Sequence, residues 1–98
     1  MSEFDYKQIN DLIHSRIRLA IMSILITVDE IDFTSLKKLV KTTDGNLSVH
    51  LKKLEAAGYV SVRKEFLDRK PVTSYSLSKV GNKAFEMYIN QLESMIKK

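Results

Sequence analysis

The sequence predicts an α+β fold, mostly α: helices come first, a β-hairpin follows and a long helix closes the chain. Three observations carry this. Apolar residues keep helical spacing from Phe4 to Val28 and again from Leu36 to Leu54. After Gly58 the period drops towards two, with Val60 and Val62 alternating with Ser61 and Arg63, and Thr73, Tyr75 and Leu77 alternating with Ser74 and Ser76. From Ser78 the helical period returns, with Val80, Ala84, Tyr88, Leu92 and Met95 along one edge. The 98 residues make one domain, 1–98, large enough for a modest core and too small for most enzymes with a substrate domain of their own.

In the first segment Ile9, Leu12, Ile13, Ile17, Ile21, Ile24, Leu25 and Val28 keep the helical pattern, and His14-Ser15 marks a break where Ser15 caps a helix beginning at Arg16. Asp29-Glu30 ends that run. Ile31-Asp32-Phe33 reads as a small strand, and Thr34 or Ser35 as the cap of a short helix whose apolar side is Leu36, Leu39 and Val40. Lys41-Thr42 is then a tight turn, so the unit is helix, turn, helix. In the second helix Thr43 caps the start, Asp44 adds charge beside the positive end of the dipole, and Gly58 suits the residue just past the end. The strands of the hairpin are separated by Phe66-Leu67-Asp68-Arg69-Lys70-Pro71, a charged loop holding the only proline. Ser78 caps a final helix running to about Ile96.

The helix after Thr43 carries the functional signal. Leu47, Leu51 and Leu54 fall at i, i+4 and i+7 and form its buried stripe. With Leu47 at zero and about 100° per residue, Lys52 lies at roughly 140°, Gly45 at roughly 160°, Val49 at roughly 200°, Lys53 at roughly 240° and Asn46 at roughly 260°. These five face away from the core. An isolated valine, an amide, two lysines and a glycine near the helix start suit insertion into a DNA major groove. In that role Val49 meets a thymine methyl and Asn46 an adenine edge, although Asn46 also fits an accessory cap. Lys52 and Lys53 meet phosphate, because a flexible ammonium positions more than it reads.

Charge distribution supports a polyanion partner. Between Thr34 and Lys79 ten Lys and Arg face four Asp and Glu, a net of +6, so the rest of a chain whose total is +4 carries −2. A merely lysine-rich surface accounts for the count alone equally well. Arg69 and Lys70, ahead of Pro71, stand at the hairpin tip. There is no cysteine, which excludes disulfides and thiolate metal sites. No signal peptide is seen, and the apolar stretch from Ile17 to Val28 is interrupted by Arg18, Ser23 and Thr27 and too short to span a bilayer, so the expected location is cytoplasmic, away from membranes. No nucleophile elbow, phosphate loop or paired-carboxylate motif is present, and catalysis is not expected. No cofactor is implied. His14 and His50 lack a metal-binding cluster around them and read as packed or hydrogen-bonded histidines.

Helix, helix, presented helix and hairpin in this order make a winged helix-turn-helix with long terminal helices. The run TDGNLSVHLKKLEAAGYVSVRKEF, with IDFTSLKKLV and HSRIRLAI before it and TSYSLSKVG after it, resembles the compact winged-helix transcriptional regulators related to the MarR and ArsR groups. The resemblance covers roughly Ile13 to Leu92. It implies a homodimer on double-stranded DNA, with recognition helices in successive major grooves and wings against the flanking backbone. On matching positions it places Asn46, Ser48, Val49, His50, Lys52 and Lys53 in the reading helix, where Thr43 and Gly45 stand at its start, and Arg69 and Lys70 in the wing. Many relatives have a basic residue where this chain has Val49.

The terminal segments, about 4–28 and 78–96, carry more apolar edge than so small a domain covers internally, which assigns Ile9, Ile13, Tyr88, Leu92 and Met95 to dimerisation. The expected function is sequence-specific regulation of transcription, as a repressor occupying promoter DNA. The alternative is a winged-helix module that contacts a protein and uses the basic hairpin for docking. Tyr6, Met22, Met87, Tyr88 and Met95 admit a small-molecule effector pocket, although such a stripe is more often core or oligomer contact.

Overall fold

Four α-helices and a small antiparallel sheet alternate along the chain in the structure, a computed structural model that describes residues 5–97. Phe4, where the first apolar pattern begins, lies outside the described residues. The elements are a single 3-10 turn at Tyr6–Gln8, α1 (Arg16–Leu25), β1 (Ile31–Asp32), α2 (Phe33–Val40), α3 (Asp44–Ala56), β2 (Val60–Leu67), β3 (Lys70–Leu77) and α4 (Lys79–Ile96). The strand order is β1-β3-β2, with Ile31 opposite Tyr75 on one side and Val60 opposite Leu77 on the other.

Short polar side chains set the helix starts. Ser15, Thr43 and Ser78 accept backbone N–H bonds from Arg18, Asn46 and Gly81, as the sequence predicts. Two local expectations are corrected. Residues 9–14 are not helical despite their spacing, because the side-chain amide oxygen Oδ1 of Asn10 accepts from both Leu12 N–H (2.9 Å) and Ile13 N–H (3.1 Å) and turns the chain before α1. The cap of α2 is Asp32, not Thr34 or Ser35. Its carboxylate accepts the Ser35 N–H at 3.0 Å and the Ser35 hydroxyl at 2.7 Å. Those two bonds hold the Asp32 carboxyl below its ordinary pKa, the side-chain bond contributing most.

The core lies between α1, α2, α3, α4 and the start of the hairpin. Ile13, Ile21, Met22, Leu25, Leu36, Leu47, Leu51, Leu54 and Tyr88 are at most 2% exposed, with Val60 and Phe85 nearly so. The three leucines of α3 are therefore its anchor. At the far end of α3, Gly58 takes φ 78°, its N–H reaching the Glu55 carbonyl and the Tyr59 N–H the Leu54 carbonyl, which closes the helix with a Schellman motif. α4 is fastened to this corner. The Ser78 N–H donates to Tyr59 O (2.9 Å), the Ser78 hydroxyl donates to Gly58 O, and a Cβ on Gly81 would stand 2.1 Å from Tyr59 O.

The wing is longer and its turn tighter than the sequence suggests. Strand pairing continues to Leu67 opposite Lys70, leaving only Asp68 and Arg69 as loop. Both have positive φ, 52° and 67°, the backbone of a type I′ hairpin. Pro71 lies inside β3 rather than in the loop. Leu67 and Lys70 close the turn as a hydrogen-bonded pair, so Pro71 falls in a non-hydrogen-bonded pair with Phe66, where β2 asks nothing of its missing N–H. The other side of β3 is free there too, because β1 pairs only at Ser74 and Tyr75.

Candidate nucleic-acid interface

α3 presents the face its sequence predicts. Val49 is 53% exposed, and Asn46, Lys52, Lys53 and Gly45 are exposed with it, while Leu47, Leu51 and Leu54 face inward. Nothing lies within 4 Å of where a Cβ on Gly45 would stand. The body of the protein thus gives no steric reason for a residue that costs a helix roughly 0.5–1 kcal/mol relative to alanine. The open space above the first turn of α3 suits close approach of a phosphate to its free N–H groups. Thr43 is engaged as the cap. Ser48 is half-buried and lines a groove of about 420 Å³ between α3 and the wing, whose other walls include Thr34, Pro71, Thr73 and Tyr75.

His50 is the reading-helix residue that the structure moves furthest from its expected role. It is half-buried, and its Nδ1 accepts a bond from the Arg18 guanidinium of α1 at 2.9 Å. Arg18 also donates from Nε to the Leu12 carbonyl. One side chain therefore ties residues 9–14, α1 and α3 together. Because arginine only donates, Nδ1 must keep its lone pair and the ring is the neutral, Nε2-protonated form. Burial, then the charges of Arg18 and Lys53, hold its pKa below the ordinary histidine value. Arg18 has no motif signal, and only the fold brings it to His50.

Not every cation of the basic middle is free. Arg63 donates from Nε to Glu30 at 2.9 Å and from Nη1 to Glu65 at 2.7 Å, with a further Nη2 contact to Glu30. It pins the loop before β1 to the wing strand instead of offering charge to a ligand. Lys37 pairs with Asp44 at 2.8 Å. Lys38, Lys41, Lys52, Lys53, Lys64, Arg69, Lys70 and Lys79 join no ion pair among the described residues, so apart from Lys79 at the start of α4 the uncompensated charge of the basic middle lies on the end of α2 and the turn after it, on α3 and on the wing.

The dimerisation residues separate into two sets. Ile13 and Tyr88 are expected on a subunit face, but both are sealed in the chain's own core, at 0% and 1% exposure, because Tyr88 packs beside Phe85 and reaches His14 Nδ1 through its hydroxyl at 2.9 Å. Ile9 and Leu92 are half-buried and Met95 is 43% exposed. Met22 is core as well, which removes it with Tyr88 from the expected effector pocket. Among the described residues no helix is long and apolar enough to cross a membrane.

A helix-turn-helix presenting an uncovered polar face beside a basic two-stranded wing defines a winged-helix DNA-binding protein. The family model for the winged helix DNA-binding domain matches residues 17–96, and the chain belongs to that family. It is a DNA-binding transcriptional regulator. It is 33% identical over 86 residues, 88% of its length, to an uncharacterized protein of Methanocaldococcus jannaschii, covering 94% of that protein. Among solved structures it is similar to a transcriptional regulator homologue from Pyrococcus horikoshii OT3, with 28% identity, a TM-score of 0.81, and 87% of this chain and 84% of that one covered. The fold is also that of a MarR family regulator from Silicibacter pomeroyi, at 23% identity and a TM-score of 0.68, matching 90% of this chain and 58% of that one.

Proposed function

We propose that the chain is a homodimeric repressor that reads operator DNA with α3 and holds the flanking backbone with the wing. The observation that carries the reading is the outer face of α3, where a half-exposed valine stands among Asn46, Lys52 and Lys53 with no fold contact to account for it. In this reading Val49 and Asn46 discriminate bases and Lys52 and Lys53 seat on phosphate. Arg69 and Lys70 bind the neighbouring backbone or minor groove. His50 supports the helix from behind through Arg18 rather than touching DNA.

Dimerisation falls to the apolar surface that the monomer leaves uncovered on α4. Met87, Met95 and Ile96 are 52%, 43% and 80% exposed, and Leu92 and Ile9 stand beside the core. Repression follows from occupancy of promoter DNA.

Selection of bound fragments from genomic DNA, followed by footprinting and run-off transcription on the selected promoter, tests the whole reading. A two-half-site footprint with falling transcript supports it. Binding that is weak, insensitive to salt and indifferent to sequence would instead favour a protein-docking module.

A further inference from the structure

The wing ends in an apolar pair that neither the core nor the charge of the site explains. Phe66 is 76% exposed although it lies in a strand of a well-paired hairpin, and its cross-strand neighbour Pro71 is exposed as well. Along β2 the pleat puts Val60, Val62, Lys64 and Phe66 on one face, opposite Leu77, Tyr75, Thr73 and Pro71. Val60 at the base of this face is buried in the core. Phe66 and Pro71 are thus the outer continuation of the face turned toward α3. The groove between α3 and the wing confirms that orientation, since Ser48 of α3 and Pro71 and Thr73 of β3 share it.

We infer that Phe66, backed by Pro71, is an apolar wedge that enters the DNA minor groove next to the major groove occupied by α3. The inference rests on the proposed DNA-binding reading and adds a contact to it. Charge selects the occupant: Lys64 precedes Phe66 on the same face, Arg69 and Lys70 follow it at the turn, and none of the three is paired among the described residues. An apolar tip ringed by free cations fits a polyanion whose stacked bases offer apolar faces to a side chain inserted between them, and suits neither a bilayer core nor a basic protein surface. Reach agrees. From Val62, the last half-buried position before the exposed part of this face, to Asp68 at the turn is six residues, about 20 Å of strand. The neighbouring minor groove lies half a turn of duplex away, roughly 17 Å. The two-residue turn keeps the tip stiff, so the wedge arrives in a defined place. Insertion is easiest where stacking is weak, so the wing favours a pyrimidine–purine step, TA above all, about half a turn from the half-site centre.

The chain has no tryptophan, so Phe66→Trp places a sole reporter at the tip. The full chain is titrated with a fluorescently labelled duplex carrying the selected site, binding being followed by anisotropy and the indole by emission. Quenched and shifted emission at saturation is expected, together with a roughly ten-fold loss of affinity in Phe66→Ala, a loss of the size given by one aromatic contact on a base. The salt slope should be unchanged because no cation is lost. Replacing the TA step by GC should weaken the wild type and leave Phe66→Ala indifferent, an effect that mere stiffening of the hairpin by Phe66 would not produce. If Phe66→Ala fails to fold, Phe66→Leu and the tryptophan variant carry the same comparison. Binding by the wild type with silent indole and an unaltered Phe66→Ala would overturn the wedge while leaving the DNA-binding reading intact. Emission that changes with protein concentration without DNA would overturn it in favour of contact between copies. A wild type that binds no duplex at all would remove both.

Discussion

At Arg69 the backbone and the side chain make opposite demands. Its φ of 67° costs an L-residue roughly 1–2 kcal/mol, and the second position of a type I′ turn favours glycine. Arg69→Gly relieves that strain and adds roughly 0.5–1 kcal/mol of unfolded-state entropy, so stability should stay within about 1 kcal/mol of wild type or rise. DNA affinity should fall, and the slope of log affinity against log salt should flatten by about 0.9 for one lost phosphate contact. Urea unfolding and a salt series on the same variant read the two effects separately, and an unchanged slope would take Arg69 off the DNA. His50 makes a second residue-scale prediction. Its folded pKa is depressed from 6.5, mainly by burial and then by Arg18 and Lys53, so the unfolded chain takes the proton more readily. The stability that the neutral ring supplies is complete above about pH 6.5 and declines as the pH falls through that value towards the folded pKa. His50→Gln should remove this component. Subtracting its urea midpoints from those of wild type at pH 8, 6.5 and 5 isolates this component. The acid dependence from Glu30 and Asp32, whose pKa values are lowered by Arg63 and Ser35, belongs to a separate window below their ordinary values of 4.5 and 3.8.

Among the elements, the joint between α3, β2 and α4 tolerates least change. Gly81 sits against the Tyr59 carbonyl with no room for a methyl, and that carbonyl is itself held by the Ser78 N–H. Gly81→Ala should therefore destabilise by about 1–3 kcal/mol, as overpacking does. Gly45→Ala, in open space, should stabilise α3 slightly. Paired urea unfolding curves check both, and equal midpoints would show the α4 start to be more compliant than its geometry implies. Element by element, what could be read from the sequence was what short-range chemistry decides. The caps at Ser15, Thr43 and Ser78, the leucine stripe of α3 and the stop at Gly58 each depend on residues within a turn of one another. The turn at Asn10 was hidden because Ile9, Leu12 and Ile13 keep helical spacing while one side-chain amide overrides it. The length of the wing was hidden because Asp68-Arg69 lacks the glycine that usually marks a two-residue turn, and Pro71 reads as loop unless its pairing partner is known. For the interface, the outer face of α3 was legible from angle alone. The Arg18 bond to His50 and the Arg63 bonds to Glu30 span 32 and 33 residues, and no local pattern signals either.

Over the whole molecule, folding divides both the charge and the apolar surface between internal and external use. Arg63 and Lys37 are spent on carboxylates, while most of the unpaired cations of the basic middle stand on α3, the turn before it and the wing. Ile13 and Tyr88 are spent on the core. The chain extends 59 Å along its longest axis against 25 and 21 Å across, and the far end of α4 keeps Met95 and Ile96 uncovered. Pairing of two copies through this end would cover those residues and set two α3 helices about 34–36 Å apart, one turn of duplex. The double variant Met95→Glu, Ile96→Glu should therefore remain folded, because both positions are exposed, and should elute at half the mass of wild type by light scattering. Its affinity for a duplex with both half-sites should fall towards that for a single half-site, since the second contact is no longer delivered at high effective concentration. The single-half-site affinity itself should hardly move. Tyr88→Glu behaves differently, unfolding the chain by placing a carboxylate in its core. A double variant that keeps the wild-type mass and two-site affinity would show that the copies pair elsewhere, leaving Met87 and the rest of α4 as the next surface to change.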